Sequence, residues 1–265
     1  MSQSEARRDR PISNKILAGS DELIFQFLPE RVLANLRRPT SENAWLWNLI
    51  YPLAQPTIEL NALLAIRPLW GTTNLEEIAT EGLAPFFWGL NIQGERLPGL
   101  DETLSAVDGP GLQTEVDLFL YGENNLILVE TKHMSGLGRC SRYSRGVCPE
   151  IHQHSDETVD PCRYWESGQQ EFSQYLDFGD RPGMDNLTPP CDRHYQLGRT
   201  LLVGRALAER LNRRLHVWMF VPSAQWKKIE SHWVDFADRV RDHDLWRRMR
   251  VLAWEDLQAL RKLTR

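Results

Sequence analysis

Two apolar runs joined by a cluster of turn formers set the strongest local constraint in this chain. Thr114-Glu-Val-Asp-Leu-Phe-Leu-Tyr121 alternates as a half-buried strand does, and Leu126-Ile-Leu-Val-Glu-Thr-Lys132 reads as a second, more apolar strand. Gly122-Glu123-Asn124-Asn125 between them predicts a hairpin turn. If that turn is symmetric about the Glu123-Asn124 bond, Tyr121 faces Leu126, and counting back sets Asp117 opposite Glu130. Facing residues have Cβ atoms about 5 Å apart, where like charges destabilise a sheet unless something neutralises them. A divalent cation would do so. Side chains alternate with a period of two, so Lys132 shares a face with Glu130. The chain has only five lysines, so one at the end of an apolar strand stands out from the composition.

Two carboxylates, a cation and an adjacent ammonium form a set suited to phosphodiester hydrolysis. The metal polarises a phosphate oxygen and acidifies a water, while the lysine orients that water or stabilises developing charge. Oxygen ligands suit Mg²⁺, with Mn²⁺ as the alternative. Asp117, followed by Glu130-Thr131-Lys132 on the next strand, resembles the PD-(D/E)XK nuclease superfamily. The resemblance implies an α/β (α+β) fold with a restriction-endonuclease-like core, a mixed central sheet flanked by helices. It also implies metal-dependent cleavage of DNA, with RNA left open, and Asp117, Glu130 and the backbone carbonyl of Thr131 as metal ligands. Lys132 would then position the attacking water. One departure is visible: Glu115-Val116 precedes Asp117, so the superfamily's Pro-Asp pair is absent. Two other readings stay open. In one, the hairpin shows a charged face to solvent and Glu115 pairs with Lys132. In the other, the domain binds nucleic acid or a protein partner without cleaving.

Ser41-Glu42-Asn43-Ala44 opens a predicted helix that runs to Pro52, with Ser41 as cap and Glu42 in the first turn. The stretch is similar to a restriction-endonuclease-like bacterial branch of the superfamily, whose first core helix brings Glu42 toward the metal. The bland alternative is an acid complementing the helix dipole. Downstream, Tyr195-Gln196-Leu197-Gly198-Arg199 starts a long amphipathic helix, followed by a strand at Leu215–Val221 and a final strand and helix from Arg250. The resemblance puts Gln196 in the catalytic set and Arg199 near the scissile phosphate.

A net charge of -5 argues against a protein that coats nucleic acid through its overall field. Local charge differs: Arg139, Arg142 and Arg145 with Tyr143 follow the second strand and could hold phosphates and stack on a base. Cys140, Cys148, Cys162 and Cys191 all fall between that strand and the long helix. In an intracellular protein such clustering points to metal before disulfides, either a structural Zn²⁺ or an iron-sulfur cluster, although the spacing matches no CxxC module. Length and the lack of internal repeats predict one domain over 15–265 with a Cys-rich insertion at about 136–194, preceded by a disordered arm at 1–14. No signal peptide or membrane-spanning run is apparent, which predicts a cytoplasmic protein; cutting two strands would favour a homodimer.

Overall fold

The computed structural model describes residues 16–263, except 39–40, 55–56, 74–80, 112, 153–160, 167–170 and 186. The arm expected at 1–14 lies outside them. The chain forms a mixed α/β fold around a seven-stranded mixed sheet. Its strands are β1 (Ile58–Glu59), β2 (Trp70–Gly71), β3 (Gly82–Phe87), β4 (Leu118–Tyr121), β5 (Asn125–Thr131), β6 (Arg214–Val221) and β7 (Met249–Ala253), in the order β1-β3-β4-β5-β6-β7-β2. β3, β4 and β5 form an antiparallel meander, and β5, β6 and β7 run parallel. Every residue of β5 is buried, as a central strand covered on both faces requires.

Six helices of seven or more residues, among the described residues, cover that sheet: α1 (Glu30–Leu36), α2 (Glu42–Ile50), α3 (Leu100–Asp108), α4 (Tyr195–Leu211), α5 (Ser223–Ala237) and α6 (Trp254–Leu263). Strand alternation sorts the core into two layers. Leu126 and Leu128 of β5, with Val217 and Met219 of β6, pack under α3, α4 and α5. Ile127 and Val129, with Trp218 and Phe220, pack under α1, α2 and α6. Each such side chain contributes about 1.5–3 kcal/mol by leaving water, so a one-residue slip of β5 would put Glu130 where an apolar residue belongs. Register is therefore strongly specified.

The hairpin forms as expected. Tyr121 pairs with Leu126 and Leu118 with Val129, so the next step brings Asp117 level with Glu130. Gly122 N donates to the Asn125 carbonyl at 2.9 Å. The turn is also clamped from outside: Glu81 accepts from the backbone N–H groups of Asn124 (2.8 Å) and Asn125 (2.9 Å). Glu115, the residue that could have paired with Lys132, is instead bound to Arg31 at 2.5 Å.

Among the described residues, the long connection between β5 and α4 contains helices of four residues only: Ser141–Ser144, Arg163–Glu166, Phe172–Tyr175 and Pro190–Arg193. It packs on the α4 side of the sheet through Trp165, Phe172 and Phe178. No helix among the described residues is long and apolar enough to cross a membrane.

Candidate active site at the end of strand β5

β5 carries Glu130 toward α4, on the face set by Leu126 and Leu128. Glu130 is 1% exposed, and both of its oxygens are engaged. Oε2 accepts from Gln196 Nε2 at 2.8 Å, and Oε1 accepts from Thr200 Oγ1 at 2.7 Å. Gln196 and Thr200 are four apart on α4, hence on one helix face, and together they hold the carboxylate from above. Gln196 is itself fixed: its amide oxygen accepts from Gly138 N at 2.8 Å, and its backbone N–H donates to the Gly138 carbonyl at 3.2 Å. The chain leaving β5 is thus tied back to the start of α4.

Asp117 stands just before β4, where the alternation breaks. Val116 packs in the α4-side core and Leu118 in the opposite one, although residues two apart on a regular strand share a face. The Asp117 carboxylate consequently turns to the end of β5, where Oδ2 accepts from Thr131 N at 2.7 Å and Thr131 Oγ1 at 2.8 Å. These bonds fix the main chain of Thr131, the residue whose carbonyl was expected to join a metal site. Asp117 and Glu130 match in register, but their carboxylates are held by different neighbours.

Glu42 reaches the same strand end from the other side of the sheet. Ser41 caps α2 by accepting from Ala44 N at 3.1 Å, and Glu42 follows in the first turn. Its Oε1 accepts from His133 N (2.8 Å), Met134 N (3.4 Å), Ser135 N (3.3 Å) and Ser135 Oγ (2.8 Å). Gln225 of α5 holds that loop by donating to the Ser135 carbonyl at 2.8 Å. The imidazole of His133 packs against Trp45 and Trp254, with ring centroids 5.3 and 5.2 Å away.

Lys132 is 6% exposed, and its charge lowers the pKa of Glu42, Asp117 and Glu130 alike. Among the described residues it makes no direct ion pair. Burial drives the Asp117 pKa upward, against the pull of Lys132 and the Thr131 donors. Burial, reinforced by the negative charge of Asp117, drives Glu130 up as well, to about 8. Glu42 ends below its ordinary value: burial tends to raise it, but the His133 amide, the Ser135 hydroxyl and Lys132 outweigh that effect. One ammonium therefore serves three carboxylates, two of which ionise reluctantly.

No family model, characterised protein or solved structure matches this chain. The site's chemistry must be judged from its own donors. Among the described residues no group of three or more His, Cys, Asp and Glu side chains is close enough to hold one metal ion. A site with two carboxylates, a backbone carbonyl and retained waters does not require such a group. Among the described residues Asp117 Oδ1 and Glu42 Oε2 accept no hydrogen bond. Oxygen donors with spare lone pairs beside reluctantly ionised carboxylates fit a hard divalent cation.

The residues expected to contact nucleic acid are placed unevenly. Arg139 is tied to the buried carboxylate of Asp192. Arg199 turns inward, 3.3 Å from Asp108 and over the rings of Tyr164 and Tyr195. The Tyr143 hydroxyl donates to the Leu187 carbonyl at 2.6 Å. Arg142 and Arg145 line a cavity together with all four cysteines, and no disulfide joins those cysteines. Burial pushes the Cys162 and Cys191 thiols up to about 12, which makes them poor nucleophiles. Sequence reasoning missed Thr200, Ser135 and Gln225. Thr200 was within reach, since a Gln-x-x-x-Thr spacing on a helix puts both donors on one face; Ser135 and Gln225 lie 90 residues apart and carry no local signal.

Proposed function

We propose that this protein is a metal-dependent phosphodiesterase acting on DNA, with a restriction-endonuclease-like core and a PD-(D/E)XK-type site at the end of β5. The observation that carries the reading is Lys132, a buried ammonium without a direct ion pair among the described residues, acting on Asp117, Glu130 and Glu42 together. A purely structural lysine would be expected to close on one carboxylate. The order α2, hairpin β4–β5, α4, β6, with a mixed sheet between helix layers, supports the same reading.

Asp117, Glu130 and the Thr131 carbonyl would hold Mg²⁺ or Mn²⁺, which when bound polarises the scissile phosphate and lowers the pKa of a coordinated water. Gln196 and Thr200 keep Glu130 aimed at the site. The Lys132 ammonium orients the attacking water and offsets charge that builds on the phosphate. Glu42 holds the 133–135 loop through Oε1, which leaves Oε2 without a hydrogen bond among the described residues.

The test compares wild type, Lys132→Ala and Asp117→Ala on supercoiled plasmid with Mg²⁺, Mn²⁺ or EDTA. Wild type should nick, linearise or degrade the plasmid only with metal, and each variant should lose about 100-fold or more in rate. Equal cleavage by Lys132→Ala would refute the assignment. The alternative is a domain that binds nucleic acid or a protein partner through its Cys-rich insertion without cutting. DNA affinity without divalent-ion binding by folded wild type would select that alternative.

A further inference from the structure

A cavity of about 280 Å³ is enclosed by the connection from β5 to α4, the end of α3 and the first turns of α4. It shares no side chain with the β5 site: Tyr195 and Arg199 line the cavity, whereas Gln196 and Thr200 of the same turns hold Glu130. We infer that this cavity is a second binding site, for a nucleoside monophosphate, with Arg142 and Arg145 receiving the phosphate and the base lying against Tyr195 and Trp165.

The lining carries surplus positive charge. Its two carboxylates are already neutralised, Asp108 by Arg199 at 3.3 Å and Glu150 by Arg181 at 2.6 Å. Arg142, Arg145 and Arg163 line the same cavity, and among the described residues none of the three meets a carboxylate. Arg145 donates to the Ser141 carbonyl of its own turn at 3.1 Å and Arg163 to the Ala106 carbonyl at 3.0 Å. The half-buried Arg142 guanidinium, among the described residues, donates to no group. Burial raises the Cys148 thiol and pushes Cys162 and Cys191 up to about 12, so these three add no negative charge at neutral pH. Like charges around one partly enclosed space repel one another, and a bound anion relieves that repulsion.

The side chains select the kind of anion. Guanidinium forks match phosphate oxygens in pairs. Arg142 and Arg145 are three residues apart, on the Ser141–Ser144 helix and its C-cap, and so share one side of that turn. Trp165, Phe172 and Tyr195 in the same lining offer aromatic surface on which a planar base can stack. The volume of about 280 Å³ lies near the lower end of the range for small-ligand pockets, about 300–1,000 Å³. That size suits a single nucleotide, either free or at the end of a strand, and excludes a duplex.

The experiment titrates the full chain calorimetrically with each of the four deoxynucleoside 5′-monophosphates, with deoxyadenosine and with inorganic phosphate, all in EDTA so that no divalent ion can hold a ligand at the β5 site. At least one monophosphate should bind, and the nucleoside and inorganic phosphate should each bind about 10-fold or more weakly. Arg142→Ala and Arg145→Ala should each weaken the monophosphate about 10-fold or more while keeping the circular dichroism of wild type. Unchanged binding in both variants would overturn the placement in this cavity. Inorganic phosphate or nucleoside binding as tightly as the monophosphate would overturn the ligand class, as would folded wild type that binds no monophosphate. Once a monophosphate binds, a 5′-phosphorylated oligonucleotide of equal affinity identifies a strand end as the source, and a weaker one identifies the free nucleotide. None of these readings depends on DNA cleavage, so failure here leaves the nuclease proposal standing.

Discussion

Thr200→Val isolates the support that Glu130 receives from α4. Valine replaces the threonine hydroxyl with a methyl group of similar size, so the substitution removes one donor from a fully buried position without opening a cavity. Thr200 donates to Glu130 Oε1 at 2.7 Å, alongside Gln196 at 2.8 Å. Burial and the charge of Asp117 already hold Glu130 toward its neutral form, whereas a bound cation needs it ionised. A hydrogen bond to a charged group contributes about 1.5–3 kcal/mol, and 1.4 kcal/mol corresponds to tenfold in affinity. The variant should therefore bind Mn²⁺ roughly 10- to 150-fold more weakly, close to the usual effect of losing a group that orients a metal ligand. Calorimetric titration of wild type, Thr200→Val and Thr200→Ser reads this directly. Thr200→Ser keeps the hydroxyl and should recover most of the affinity. Wild-type affinity in Thr200→Val, with folding confirmed by denaturation, would show that Glu130 does not hold the ion.

Three further outcomes follow from the packing and the titratable groups. In Gly198→Ala the new methyl would lie 2.8 Å from Phe172 Cε1; overpacking costs about 1–3 kcal/mol against about 1 kcal/mol of helix propensity gained, so the urea midpoint should fall, and a rise would refute the contact. Ser41→Ala removes the cap of α2 and should cost about 1 kcal/mol, with a matching loss of activity because Glu42 sits in that first turn; an unchanged melting temperature would contradict it. Burial lowers the His194 pKa to about 4 despite its bond to Asp235. The unfolded chain then takes up a proton that the folded chain refuses, so stability should fall as pH drops from about 6.5 toward 4, by at most about 3 kcal/mol from this group. His194→Gln should flatten that dependence in denaturation curves, and an unaltered slope would assign it to other groups.

The local elements were legible because their physics is local. Alternating apolar residues around Gly122-Glu123-Asn124-Asn125 predict the β4–β5 hairpin and its register, and Ser41 and the apolar spacing after Tyr195 predict α2 and α4. Those patterns brought Asp117, Glu130, Lys132, Glu42 and Gln196 forward by number. Tertiary structure decided how they are held. Asp117 turns to Thr131 because alternation breaks between Val116 and Leu118, a twist that no propensity encodes. Arg199 looked available for phosphate, but burial beside Asp108 and two tyrosine rings turns it inward. The cysteine spacing was uninformative for the same reason: the four cysteines come to line one cavity only where the chain between β5 and α4 folds back on itself. Periodicity records which face a residue takes; which distant residue waits on that face is decided by packing, where contacts 60 to 90 residues apart must form together.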